Sequence, residues 1–150
     1  MSVIDHITVD PQWKIGIIHS LFYEADMDRL VQSAEDALAA AGIPLKHISI
    51  HPAAGSFEVP LIGSALAKKG NIHGLIGLGI VVQGETDHAR LIAESAARGI
   101  MRVQLETQVP FAFEILAVRS LKDARSRLQK GEEAAWSVLH SLAQLRLIRS

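Results

Sequence analysis

The stretch at residues 75–99, LIGLGIVV-QGETDHAR-LIAESAARG, decides the architecture of this chain. Residues 75–82 are an unbroken apolar run, rich in Ile and Val, which suits a strand buried on both faces. Gly77 and Gly79 lie inside it, and glycine within a strand predicts a close approach by backbone or ligand. Gly84 follows, a residue able to turn at positive φ without strain, and then Glu85, Thr86 and Asp87. Thr86 or Asp87 is the expected N-cap of the next helix, whose apolar face is Ile92, Ala93, Ala96 and Ala97. Arg90, Glu94 and Arg98 recur at helical spacing on its other side and can pair.

A strand that feeds a helix through such a turn has chemical uses. Backbone N–H groups after Gly84 stand at a helix N-terminus, where aligned peptide dipoles favour an anion such as phosphate. His88 falls in the same first turn, within reach of whatever that anion is attached to. The stretch therefore offers an anion seat beside a proton carrier. It equally fits a capped helix with a surface histidine.

Working outward, residues 1–11 alternate loosely and end at Pro11, as an N-terminal arm or edge strand would. Residues 14–18, KIGII, predict the first core strand. Met27, Leu30, Val31, Ala34, Leu38 and Ala41 recur at helical spacing, and Gly42 with Pro44 stops that helix. Residues 45–51, LKHISIH, predict a second strand, and residues 52–55 a loop. Glu58-Val59-Pro60 opens a helix with proline in the first turn, where its missing N–H is harmless, and Gly70 ends it. Residues 101–105 fit either a strand or the tail of the preceding helix, and periodicity leaves both open. Val109-Pro110 leads into a fourth strand over residues 111–118. Ser120 caps a helix to about Lys130, and Gly131 separates it from a last helix bearing Ala135, Val138, Leu139, Leu142, Leu145 and Ile148.

Strands alternating with helices predict an α/β fold: a three-layer α/β/α sandwich on a four-stranded, mainly parallel sheet, flavodoxin-like, in one domain over residues 1–150. Ligands of such sheets gather at the carboxyl ends of strands. That rule collects Phe22-Tyr23, the loop before Pro60, the Gly84 turn and the end of the fourth strand.

The chain has 150 residues, 49% hydrophobic and 21% charged, enough for a folded core. Its 15 basic and 16 acidic side chains nearly cancel, so neither nucleic acid nor a membrane is the expected partner. Cysteine is absent, which excludes disulfides and thiolate metal sites and fits a cytoplasmic location. His47 and His51, expected on one face of the second strand, lack an evident third metal ligand. Nucleophile-elbow, dinucleotide and P-loop motifs are absent. Phe22, Phe57 and Phe113 near predicted strand ends are either core or a stacking surface for a planar ring. Arg127 is either a solvated helix residue or a phosphate clamp.

Three blocks carry a resemblance to a known family. Gly55-Ser56-Phe57-Glu58-Val59-Pro60 looks like G-[AS]-[FY]-E-[IV]-P, residues 78–88 are similar to L-G-x-V-I-R-G-E-T-x-H, and residues 109–113 to V-P-V-x-F. With KIGII as opening strand, their order and spacing resemble the lumazine synthase family (6,7-dimethyl-8-ribityllumazine synthase, riboflavin synthase beta chain) over nearly the whole chain.

The resemblance implies condensation of 5-amino-6-(D-ribitylamino)uracil with 3,4-dihydroxy-2-butanone 4-phosphate in riboflavin biosynthesis. A Schiff base forms, phosphate leaves and the ring closes with loss of water, without metal or organic cofactor. By position, Phe22 and Phe113 would flank the pyrimidine, and Val81 and Val82 would line its pocket. Ser56, Phe57 and Glu58 would hold the ring and ribityl chain, with Tyr23 beside that chain. Gly84, Glu85 and Thr86 would bind the phosphate, Arg127 would clamp it from a neighbouring subunit, Lys130 would be a further substrate-binding residue, and His88 would move protons. The resemblance also implies a homopentamer or a larger shell with sites between subunits, and riboflavin synthase as a candidate partner. Departures from the family pattern are Tyr23 for Asn, Gln83 for Arg, Ala89 for an aromatic, Glu114 for Gly, and a shorter segment after Arg127. Two other readings stay open: a catalytically weak paralogue that binds flavin or lumazine, which Tyr23, Gln83 and Glu114 favour, and a shell-forming assembly protein.

Overall fold

The computed structural model describes residues 7–150. Its elements, in chain order, are β1 (Ile15–Ser20), α1 (Glu24–Ala40), β2 (Ile48–Ala53), α2 (Val59–Lys69), β3 (Gly74–Val82), α3 (His88–Thr107), β4 (Phe111–Val118), α4 (Leu121–Arg125) and α5 (Gly131–Arg149). The four strands are all parallel, in the order β2-β1-β3-β4. β3 therefore lies inside the sheet, as its unbroken apolar run requires.

Two apolar layers sandwich that sheet. On one face Met27, Leu30 and Leu38 of α1 and Ala135, Val138 and Leu139 of α5 pack with Ile15, Ile17, Ile76 and Leu78. On the other, Val59 and Ala67 of α2 and Ala96, Ile100 and Val103 of α3 pack with Ile18, Leu75, Phe111 and Ile115. Alternate strand residues serve opposite layers, as strand periodicity demands. The expected α/β/α sandwich is what forms.

Several local expectations are corrected. Residues 7–10 form no strand, and the rest of the expected arm, residues 1–6, lies outside the described residues. Residues 45–47 make a 3-10 turn, closed by the His47 N–H donating to Pro44 O at 2.8 Å, so the second strand starts only at Ile48. That strand runs through Pro52 to Ala53, where a loop was expected. β2 pairs only with β1, and a proline is tolerated on such an edge strand. Residues 101–105 belong to α3: Ile100 and Val103 continue its buried face, and the helix stops where Gln108 turns left-handed at φ 58°. The helix after Ser120 is only α4, with a 3-10 turn over Leu128–Lys130. Its cap is as expected, the Asp123 N–H donating to Ser120 Oγ at 3.2 Å.

Gly131 does not separate two helices; it begins α5. A Cβ there would lie 2.5 Å from Leu30 O and 2.7 Å from Ala34 N, so glycine lets α5 start against α1. The strand glycines of β3 also serve packing rather than a ligand. A Cβ at Gly77 would meet Val59 at 2.9 Å, and one at Gly79 would collide with Ser56 Oγ. Gly79 thus lets the Ser56–Glu58 turn seat against β3, which fixes the floor of the site described next.

Candidate functional site

At the carboxyl ends of β1 and β3 the chain forms a cavity of about 240 Å³. Its walls include Phe22 and Tyr23 after β1, Ser56, Phe57 and Glu58 before α2, Val81 and Val82 ending β3, and His88 opening α3. These are segments far apart in sequence, gathered by the rule that the crossovers of a parallel sheet leave their loops at one end.

Each wall has a local cause. The Leu21 N–H donates to Ala53 O and the Phe22 N–H to Ser20 Oγ, both at 3.1 Å, which ties the β1–α1 turn to β2. The Phe22 ring then lies over Gly55: a Cβ there would stand 3.3 Å from it and 3.2 Å from Glu58 Oε1. Tyr23 caps α1 in the left-handed region, at φ 57° and ψ 55°, and makes no side-chain cap bond. That conformation costs a non-glycine residue roughly 1–2 kcal/mol, least for Asn or Asp. Phe22 and Phe57 are 61% and 57% exposed, so neither is core, and both present a face to the cavity.

His88 is the first residue of α3 and lines the cavity although it is exposed. Its N–H donates to Thr86 Oγ1 at 3.4 Å, a long bond, and Asp87 is the N-cap without a side-chain cap bond. Arg90 pairs with Asp87 at 3.9 Å and with Glu94 at 3.7 Å, while Arg98 joins no ion pair among the described residues. Gly84, Glu85 and Thr86 form the exposed rim between Val82 and His88 rather than the lining.

Gly84 corrects one expectation. Its φ is not positive; the positive-φ glycines are Gly42 and Gly70. A Cβ at Gly84 would meet nothing within 4 Å. Neither conformation nor packing within the described chain explains glycine there, in contrast to Gly79.

The structure does not bring Phe113, Arg127 and Lys130 to this cavity. Phe113 sits on β4, the opposite edge of the sheet from β2, with β3 between it and β1. There it lines a separate recess of about 290 Å³ with Glu114, Glu133, Trp136 and Ser137. Burial raises the Glu114 carboxyl above its ordinary pKa, the Lys130 charge opposes that rise and Glu133 adds to it. Lys130 Nζ lies 3.5 Å from Glu133 Oε2. Arg127 is exposed between α4 and the following 3-10 turn, not within a helix.

Ser20, Gly55, Ile80 and Ile92 also line the main cavity and are not among the site residues expected from sequence. Ile80 and Ile92 flank the named residues by one strand or helix repeat, a signal that was available. A larger cavity of about 370 Å³ lies at Gln104, Pro110, His140 and Leu145, away from the strand ends, so volume alone does not select the site. No group of three potential metal ligands occurs among the described residues. His47 lies outside β2, its Nδ1 2.8 Å from Pro11 O, while His51 Nε2 meets Ser49 Oγ at 2.8 Å. Burial, with His19 and Lys69 nearby, lowers the His51 pKa.

Residues 12–146 match the family model described as 6,7-dimethyl-8-ribityllumazine synthase. A protein of Nitratidesulfovibrio vulgaris named 6,7-dimethyl-8-ribityllumazine synthase is 37% identical over 134 residues, 86% of each chain. The 6,7-dimethyl-8-ribityllumazine synthase 1 of Caulobacter vibrioides is 37% identical over 141 residues, 91% of this chain and 92% of its own.

Proposed function

The chain belongs to the 6,7-dimethyl-8-ribityllumazine synthase family, and we propose that it carries out that reaction in riboflavin biosynthesis. Its substrates are then 5-amino-6-(D-ribitylamino)uracil and 3,4-dihydroxy-2-butanone 4-phosphate. The observation that supports this most directly is the single cavity that gathers an aromatic wall, a carboxylate and an imidazole beside an exposed helix N-terminus.

In this reading the pyrimidine lies against Phe22, with Val81 and Val82 beneath it. Glu58 accepts hydrogen bonds from ring or ribityl groups, and Tyr23 offers its phenol to the ribityl chain. The phosphate sits at Gly84, Glu85 and Thr86, where backbone N–H groups face the dianion. The uracil 5-amino nitrogen attacks the ketone carbon, and water leaves as the imine forms. Elimination then breaks the C–O bond to phosphate, and the ribitylamino nitrogen closes the ring with loss of a second water. His88 takes and returns the protons these steps displace.

One chain supplies only part of this site. Phe113 of a second copy covers the free face of the pyrimidine, and Arg127 and Lys130 of that copy approach the phosphate. Exposed Phe22, Phe57 and Phe113 support the pairing, because large apolar side chains facing water mark association surfaces. A homopentamer, located in the cytoplasm and passing its product to riboflavin synthase, completes the reading.

The test is direct. Purified protein given both substrates should release inorganic phosphate and form a fluorescent lumazine far faster than the uncatalysed condensation. A rate no greater than background would overturn the assignment.

A further inference from the structure

We infer that the Ser20 hydroxyl is a further substrate-binding group of the main cavity, donating a hydrogen bond to an acceptor oxygen of the pyrimidine substrate. This rests on the reaction proposed above.

Ser20 is the last residue of β1 and pairs in register with Ala53 of β2. Two residues earlier in that strand, Ile18 packs in the α2/α3 layer, so alternation turns Ser20 to the same face. Ala53 and Val81 belong to that layer too, and Ser20 lines the cavity together with Val81. The buried polar side chains among the described residues are Ser20, Asp26 and Ser56, and Ser20, at 1% exposure, lies deepest.

The hydrogen-bonding capacity of this hydroxyl is half used. Its Oγ accepts from the Phe22 N–H at 3.1 Å, while its own proton has no acceptor among the described residues. Glu58, the carboxylate of the same cavity, makes no bond to it there. Ile80, Val81 and Ile92 line the cavity with side chains that accept nothing. The Phe22 N–H bond holds the oxygen in place, so the free proton can only swing about the Cβ–Oγ bond. A buried O–H without a partner is costly, and an oxygen brought in by a ligand removes that cost. A ligand lacking the oxygen leaves the cost standing, which makes such a group a source of specificity.

The neighbours of Ser20 say which substrate it meets. Phe22, two residues on, forms the aromatic wall against which the pyrimidine is proposed to lie. The proposed phosphate seat, at Gly84, Glu85 and Thr86, is on the exposed rim and outside the cavity lining. The buried end is thus left to the pyrimidine, whose carbonyl and ribityl oxygens both accept hydrogen bonds.

The experiment compares full-length wild type, Ser20→Ala and Ser20→Cys, each also combined with Phe22→Ala. Calorimetry gives Kd for 5-amino-6-(D-ribitylamino)uracil and for 5,6-diaminouracil, which lacks the ribityl chain, and thermal melts check folding. Ser20→Ala should raise Kd for the ribityl compound by about three- to ten-fold, with KM for the ketose phosphate unchanged. Ser20→Cys, similar in volume but a weak donor, should lose about as much. The loss should be the same fold in the Phe22→Ala background, because the hydroxyl itself touches the ligand. A loss for both pyrimidines places the acceptor on the ring, and a loss for the ribityl compound alone places it on the chain. Unchanged binding by Ser20→Ala, or wild-type binding by Ser20→Cys, would overturn the inference. So would a loss that vanishes in the Phe22→Ala background, since Ser20 would then only position the ring, or a wild-type protein that binds neither pyrimidine. Failure of the reaction is seen separately, as a wild-type protein that binds the pyrimidine and makes no lumazine.

Discussion

The carboxyl end of β3 and the outer edge of β4 are neighbours in the sheet, yet they are built in opposite ways. At the end of β3, loops from β1, β2 and β3 close over one another, and a cavity forms with Phe22, Glu58 and His88 on its walls. Along β4, the aromatic Phe113 lines an open recess with Glu114 and Glu133 and meets no loop from another crossover. The first region is complete in its own packing. The second presents a 41% exposed phenylalanine that the chain itself does not cover. The difference is what the proposed reading draws on, in which a single chain folds one part of the active centre and a second copy supplies the other.

The largest effect should come from the folded part. His88→Ala removes the proposed proton carrier, and kcat for lumazine formation should fall by about a hundred-fold or more. Phe113→Asp, at the open edge, should be nearly as damaging if it covers the pyrimidine of another copy. The decisive measurement uses both. Chains carrying His88→Ala, co-expressed in equal amount with Phe113→Asp chains, should regain about a quarter of the wild-type sites by random pairing of intact halves. Activity no greater than the sum of the two parents would show that each chain works alone and would break the comparison.

A second contrast, between Gly79 and Gly84, sharpens it. Gly79→Ala drives a methyl into Ser56 and to within 3.3 Å of Ile115, so it should destabilise the fold by about 1–3 kcal/mol and lower Tm. Gly84→Ala meets nothing and adopts no strained φ, so Tm should stay within a degree or so of wild type while KM for the ketose phosphate rises. Thermal melts beside steady-state kinetics separate the two. If Gly84→Ala lowered Tm as much as Gly79→Ala, the rim would be part of the packing and not open to a ligand.

The unequal legibility of the two regions has a physical basis. The buried strand at residues 75–82, the turn and the helix beyond it are written in hydrophobic period and composition, which report local structure well. The C-terminal-end rule then gathers Phe22, the Ser56–Glu58 turn and His88 without further information. Residues 45–51 misled because LKHISIH alternates like a strand while Pro44 bends its start into a 3-10 turn. Gly131 misled because glycine signals both a break and a close approach, and only the packing of α5 on α1 tells which. Phe113 lies in one of the three blocks that carry the resemblance, yet its place on a different edge follows from strand order, which periodicity does not encode; Arg127 and Lys130 are expected by position alone and fall at the turn after α4.

The smallest effect sits at the open edge and tests whether it is covered. Burial holds the Glu114 carboxyl above its ordinary value, so the folded protein prefers it protonated. A carboxyl raised in this way contributes its full stability below the unfolded value, near 4.5, and loses it as pH rises through the folded one. Glu114→Gln keeps the neutral form at every pH. Its Tm should match wild type in acid and exceed it at neutral pH, by an amount that grows between the unfolded and the folded value and is constant above the latter. If a second copy seats on Phe113, burial of Glu114 deepens, and the gain should be larger for the assembled protein than for dilute, dissociated chains. A gain independent of protein concentration would mean that the recess stays open to water in the assembly, and that Phe113 covers nothing.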